Sequence, residues 1–135
     1  MTESKPPLFS VTDEHELNAL WRLVAEAKFH PEPDDRDLWR SPYVQSLAVR
    51  IADAQLELER RRGNAHGVER HLAWRRSLPN NVALDAVRLK LREDSLEPWW
   101  KELSHSHKRA YVLARVAPFV VDEAFLDGLI RDVEA

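Results

Sequence analysis

Residues 41–64, SPYVQSLAVRIADAQLELERRRGN, carry the strongest structural signal in the chain. Ser41 is a favoured helix N-cap. Pro42 suits the first helical position, because the N–H of that residue has no partner within the helix and its absence in proline costs no hydrogen bond. Apolar residues then recur at the three- and four-residue spacing of one helical face, at Val44, Leu47, Ala48, Ile51 and Leu58. Gly63 and Asn64 end the pattern, because both residue types favour a helix C-terminus. The stretch predicts one long helix near 42–62, about 30 Å in length.

The segment before this helix predicts a second, amphipathic helix. Thr12 is a candidate N-cap, and the acidic residues after it suit the positive end of a helix dipole. Apolar residues recur at helical spacing between 13 and 29. Prolines within residues 30–37 then break the chain, because a proline disfavours helical geometry in the residue before it. We expect residues 1–12 to be a flexible segment and residues 13–135 to form a single helical domain.

Helical patterns continue to the last residue. They cover residues 66–78, LEPWWKEL (96–103), SHSHKRAYVLARVAPF (104–119) and the stretch after Asp122. Residues 82–92 are ambiguous, because Val87, Leu89 and Leu91 alternate with charged residues as in a strand but also suit a helix. We favour a helix there, since no neighbouring segment offers a strand for pairing. The chain therefore predicts an all-α, single-domain bundle of about six or seven helices.

Composition excludes several classes of function. The chain has 135 residues, of which 44% are hydrophobic and five are tryptophan, as expected of a folded domain. The absence of cysteine rules out disulfides, thiol catalysis and cysteine-ligated metal centres. The three glycines are too scattered to form a phosphate-binding loop. No apolar run approaches the roughly 20 residues of a membrane span, and no signal peptide is visible, so we expect a cytoplasmic protein without a membrane partner.

A net charge of −3 conceals a basic middle part of the chain. The basic segment 60–92 has nine basic residues and two acidic ones, and the parts that flank it are acidic. Six of its arginines are candidates for binding a polyanion, namely Arg60, Arg61, Arg62, Arg70, Arg75 and Arg76. Arginines beside an aromatic residue such as Trp74 suit a nucleic-acid surface. The alternative is that the acidic flanks fold back over the basic segment and neutralise it through ion pairs.

Histidines and carboxylates form no recognisable metal site or catalytic site. His66 and His71 lie five residues apart, whereas zinc ligands on one helix lie three or four apart. His105 and His107 lie two apart and would share a face only on a strand. We therefore expect no metal and no cofactor. The acidic cluster in the proline-bounded loop lacks a nucleophile beside it, and it consists of Asp34, Asp35 and Asp37.

Trp99 and Trp100 are the candidate partner-binding residues. Neighbours on a helix point about 100° apart, so the two rings face different surroundings. A tryptophan at a surface is a frequent anchor in protein interfaces. The alternative is a wide helix face that buries both rings.

These observations predict a small, non-catalytic protein that regulates or binds others through protein–protein contacts. The partner would be another protein or a second copy of the same chain, in a homodimer. A nucleic-acid-binding protein that uses the basic segment 60–92 is the alternative. A third interpretation, an enzyme with a site assembled across helices, has no motif in its favour.

Overall fold

Seven α-helices and two short 3₁₀ helices make up the fold, and no strand occurs in residues 5–32 and 35–135, which the computed structural model describes. The α-helices are α1 Glu14–Phe29, α2 Pro42–Arg61, α3 Ala65–Arg75, α4 Ala83–Ser95, α5 Pro98–Glu102, α6 His105–Val116 and α7 Glu123–Glu134. The 3₁₀ helices are Arg36–Arg40 and Leu78–Asn80. The predicted all-α bundle is therefore confirmed. The first four residues of the predicted flexible segment 1–12, and Asp34 of the acidic cluster, lie outside the described residues.

The long helix α2 begins and ends where its sequence predicts. The Ser41 hydroxyl accepts a hydrogen bond from the Val44 N–H at 3.3 Å and so caps the N-terminus. Gly63 adopts φ +65° directly after the helix, a left-handed conformation that glycine takes without steric cost. Asn64 then caps α3, since its side-chain oxygen accepts from the Gly67 N–H at 3.0 Å. These local signals fix the α2–α3 hairpin.

Helix α1 has a different cap from the predicted one. Asp13, and not Thr12, is the N-cap residue, and its carboxylate accepts from the His15 N–H at 2.7 Å. Both residue types can cap, but an aspartate also carries the negative charge that the helix N-terminus attracts. Residues 5–13 precede the helix and contain no helix or strand.

The ambiguous segment 82–92 is helical and belongs to α4. Its buried apolar residues follow a helical period, with Leu84, Val87 and Leu91 on the core face, while Leu89 is exposed. A strand would have placed Val87, Leu89 and Leu91 on the same face. The Asn81 side chain supports the start of the helix by accepting from the Ala83 N–H at 2.9 Å.

Helices α1, α2 and α3 form one layer of the bundle. The Glu14 carboxylate at the start of α1 binds Arg62, which follows the end of α2, so these two helices run antiparallel. Aromatic rings join this layer to the rest of the molecule, because Trp74 of α3 contacts both Trp21 of α1 and Phe119 at centroid distances of 5.0 and 5.2 Å.

The main core lies among α4, α6 and α7. Buried apolar side chains from these helices and the adjoining turns form one cluster, which includes Leu78, Val87, Leu91, Trp100, Val112, Val116, Leu126, Leu129, Ile130 and Val133. The apolar face of α7 closes the bundle against α4 and α6. Across the described ranges, no helix has the length and apolar character that a membrane crossing requires.

Two buried lysines connect the end of α1 to α4 and α6. The Lys28 ammonium donates a hydrogen bond to the backbone oxygen of Ala117, and the Lys90 ammonium donates to the backbone oxygen of Lys28 at 2.6 Å. Burial disfavours the charged form of an amine. It lowers the pKa of Lys28 to about 7 and that of Lys90 to about 8. Lys28 therefore loses its proton around pH 7 and Lys90 around pH 8, a range in which an exposed lysine remains charged.

Candidate functional site

The two adjacent tryptophans occupy different environments. Trp100 is 1% exposed and belongs to the core cluster, and its indole N–H approaches the Glu134 carboxylate at 3.5 Å. Trp99 is half-buried and packs against the core from outside. Of the two candidate partner-binding residues, Trp99 is therefore the one that a partner can contact. Trp100 is enclosed by the core and anchors their helix, α5, to it.

Trp99 forms one wall of a surface groove, named here the Trp99 groove. The groove has a volume of about 560 Å³ and is lined by Arg40, Trp99, Leu103, His107 and Tyr111. Three elements supply these residues, namely the first 3₁₀ helix, α5 with the residue that follows it, and α6. The rings of Trp99 and Tyr111 lie 5.3 Å apart between centroids, and the Arg40 guanidinium lies 5.6 Å from the Trp99 ring.

A buried carboxylate holds two walls of the groove in position. Asp94 of α4 is 1% exposed, and its Oδ2 accepts from the Tyr111 hydroxyl at 2.6 Å and from the Trp39 indole N–H at 2.9 Å. Its Oδ1 accepts from Arg40, from Nε at 2.8 Å and from Nη2 at 2.6 Å. We call these four residues the Asp94 network. A buried carboxylate is stable only with such donors around it, so the network fixes the positions of Arg40 and Tyr111.

Arg115 adds a second support behind the groove. Its Nη1 donates to the backbone oxygen of Arg40 at 2.5 Å, and its Nη2 donates to the Gln45 side chain of α2 at 2.9 Å. Its guanidinium also lies 5.1 Å from the Tyr111 ring centroid. Burial and the hydrogen bond to Asp94 raise the pKa of Tyr111 well above its ordinary value, so this hydroxyl stays protonated as a donor.

The groove presents apolar surface and little free hydrogen-bonding capacity. The Tyr111 hydroxyl donates to Asp94, and the Arg40 guanidinium is paired with the same carboxylate. His107 is exposed at the edge and has no nucleophile or carboxylate among the other lining residues. An arrangement of this kind suits the burial of apolar side chains.

The six candidate polyanion-binding arginines divide into two groups. Arg61, Arg62 and Arg75 are paired with carboxylates of the acidic flank, at 3.1 Å to Glu57, 2.6 Å to Glu14 and 2.8 Å to Asp53. The pairs of Arg62 and Arg75 join different elements and agree with the interpretation that the acidic flank folds back over the basic segment, whereas Arg61 and Glu57 lie one turn apart on α2. Arg60, Arg70 and Arg76 are exposed, and they form no ion pair with the carboxylates of residues 5–32 and 35–135.

The histidines singled out in the sequence are dispersed. His66 is exposed, whereas His71 packs against Trp74 at a centroid distance of 5.5 Å and lines a separate cleft of about 410 Å³ between α1, α2 and α3. Burial among arginines lowers the pKa of His71. His105 pairs with Asp127 at 2.9 Å. In the part of the chain that the structure describes, no three potential ligands come together to hold a metal ion.

Sequence reasoning missed the residues that build the groove around Trp99. Asp94 gave one usable signal, because it follows Val87 and Leu91 at helical spacing and so places a charge on an apolar face. A charge in such a position needs donors from other elements, and those donors proved to be Arg40 and Tyr111. No local motif indicates which elements supply these donors.

Comparison of the chain with models of protein families, with curated proteins and with solved structures finds no match. The geometry of the Trp99 groove is therefore the main evidence on function.

Proposed function

We propose that this protein is a non-catalytic interaction protein that binds an apolar segment of a partner protein in the Trp99 groove, in a regulatory role. The observation that carries the proposal is the groove itself, in which Trp99, Leu103 and Tyr111 stay accessible although the core lies directly beneath them. Rigid aromatic side chains around a central depression are typical anchors of protein interfaces. The Asp94 network keeps the groove preformed, which lowers the entropy cost of binding.

Affinity capture with matched variants tests this proposal. Immobilised wild-type protein, Trp99→Ala and Leu23→Ala are exposed to a lysate of the source organism, and the retained proteins are identified by mass spectrometry. Leu23 is a large exposed apolar residue of α1 outside the groove, so its variant controls for non-specific apolar binding. We expect a partner that the wild type and Leu23→Ala retain and Trp99→Ala loses. Equal retention by all three proteins would contradict the proposal.

We propose nucleic-acid binding as the second candidate function, supported by the three arginines that form no ion pair among residues 5–32 and 35–135. Arg60, Arg70 and Arg76 belong to the same hairpin or its end, and their exposed guanidinium groups can neutralise phosphates. The remaining three arginines give weaker support, since carboxylates already compensate their charge.

Fluorescence anisotropy with labelled single- and double-stranded DNA and RNA tests this second function. Three neutralised phosphates predict that the affinity falls about 40-fold between roughly 50 and 200 mM salt on a duplex. The triple variant Arg60→Ala, Arg70→Ala, Arg76→Ala should abolish the binding. Absence of binding at the lower salt concentration would remove nucleic acid from consideration.

A further inference from the structure

The segment before α1 is an exposed apolar arm. We define the arm as residues 5–12, KPPLFSVT, which contain no helix or strand. Leu8 is fully exposed and Phe9 is 74% exposed, so neither side chain packs against its own bundle. The adjacent prolines favour an extended polyproline conformation. The arm therefore resembles a peptide ligand, in which two large apolar side chains follow a stiff, extended pair of prolines.

The chemistry of the arm matches that of the Trp99 groove. Proline-rich segments bind in grooves lined by aromatic rings, because their backbone is already extended and loses little entropy. Trp99 and Tyr111 supply such rings. The charges are also complementary, because Lys5 at the start of the arm is positive and Glu97 beside the groove is negative. Glu97 lies 3.8 Å from Arg40 of the groove.

Leu8 and Phe9 of the arm cannot reach the groove of their own chain. The groove lies at the start of α2, where Arg40 precedes Pro42, whereas the arm leaves the molecule at Glu14, which binds Arg62 beyond the end of α2. The 20 residues of α2 separate these points by about 30 Å. Leu8 lies six positions before Glu14, and six extended residues span at most about 21 Å. The groove can receive Leu8 and Phe9 only from another molecule.

We propose that the arm of a second copy occupies the Trp99 groove, with Leu8 and Phe9 between Trp99 and Tyr111, and that two copies exchange arms in a closed dimer. Each chain has one arm and one groove, so a two-fold exchange fills both grooves. This inference rests on the proposed function, because it names the partner that binds the same groove.

Sedimentation of matched variants tests the exchange in the full chain. We expect the wild type to shift from monomer to dimer as its concentration rises. The arm variant Leu8→Asp, Phe9→Asp and the groove variant Trp99→Ala should each remain monomeric. An equimolar mixture of these two variants should recover a dimer, since the intact arm of one chain fits the intact groove of the other. This mixed dimer should be weaker than the wild-type dimer, because it has one arm–groove contact and the wild type has two.

A peptide titration tests the contact itself. A fluorescein-labelled peptide of residues 5–12 is titrated with the full-length arm variant, whose groove is free of its own ligand. We expect saturable binding that weakens about 30-fold or more in the additional Trp99→Ala variant, as for an interface anchor. His107→Lys alters only an exposed edge residue and leaves the packing under Trp99 intact, and its positive charge should repel Lys5 and also weaken the binding. The Leu23→Ala variant should bind the peptide like the parent protein.

Two results would overturn the arm exchange. One is a wild type that stays monomeric at high concentration with no peptide binding. The other is a dimer that persists when Leu8 and Phe9 are replaced. Both leave the proposed function standing if Trp99→Ala still loses a captured partner, so the two failures are distinguishable.

Discussion

Replacement of Asp94 by asparagine removes the buried negative charge that accepts hydrogen bonds from Trp39, Arg40 and Tyr111. One carboxylate oxygen becomes an amide nitrogen, which is itself a donor. It then faces either the Trp39 indole and the Tyr111 hydroxyl or the Arg40 guanidinium, all of which donate to Asp94 in the wild type. Hydrogen bonds to a charged group contribute about 1.5–3 kcal/mol each, and an unpaired partner adds a desolvation cost. Water reaches Arg40, whose side chain is 40% exposed, and reduces that cost. We expect Asp94→Asn to lower the free energy of unfolding by about 3 kcal/mol.

Urea denaturation followed by far-ultraviolet circular dichroism measures this loss. Asp85→Asn is the matched control, because Asp85 is an exposed residue of the same helix α4. Its unfolding free energy should change by less than about 1 kcal/mol, which is the upper range for an exposed charge in the first turn of a helix. A loss below about 1 kcal/mol in Asp94→Asn would mean that the buried carboxylate gains little from its donors and does not hold the groove in position.

Three further predictions concern stability. Trp100→Ala should lower the unfolding free energy by about 4 kcal/mol, because the core encloses this side chain. Trp99→Ala should lower it by less than half of that, because Trp99 is only half-buried. Equal losses in urea titrations would contradict these two placements. As the pH rises from 7 to 9, the folded protein releases protons from Lys28 and Lys90, whereas the unfolded chain keeps them. The free energy of unfolding should therefore rise by roughly 2–4 kcal/mol over this range. Lys28→Met should flatten that rise by about half, and urea midpoints independent of pH would oppose the assignment. Ser41→Ala should cost about 1 kcal/mol in thermal or urea melts, through loss of the α2 cap, and an unchanged midpoint would show that the cap adds nothing.

Local signals explain why much of the fold is predictable from the sequence. Ser41, Pro42 and Gly63 act within one turn of the chain, so the bounds of α2 follow from them almost without error. The segment 82–92 shows the limit of periodicity. The same leucines suit a strand or a helix until packing decides that Leu89 is exposed and Leu91 is buried.

The candidate site depends on contacts between distant parts of the chain, which periodicity does not encode. The sequence indicates that Trp99 and Trp100 face different surroundings, but it does not show which one is enclosed by α6 and α7. Asp94 lies 54 residues from Arg40 and 17 from Tyr111. Their meeting follows from the arrangement of the helices and from no local motif. The ion pairs of Arg62 and Arg75 are equally non-local, and so the sequence alone left the role of the basic segment open.

Site-specific photo-crosslinking in living cells tests most directly whether the Trp99 groove binds a protein. A photoreactive amino acid replaces His107, which lies exposed at the edge of the groove. We expect a discrete crosslinked product, a dimer of this chain or a complex with another protein, that disappears when Trp99→Ala is added. The same probe at Leu23 should give no such product. A product that persists without Trp99, or no product at all from position 107, would contradict the claim that this groove is the functional site.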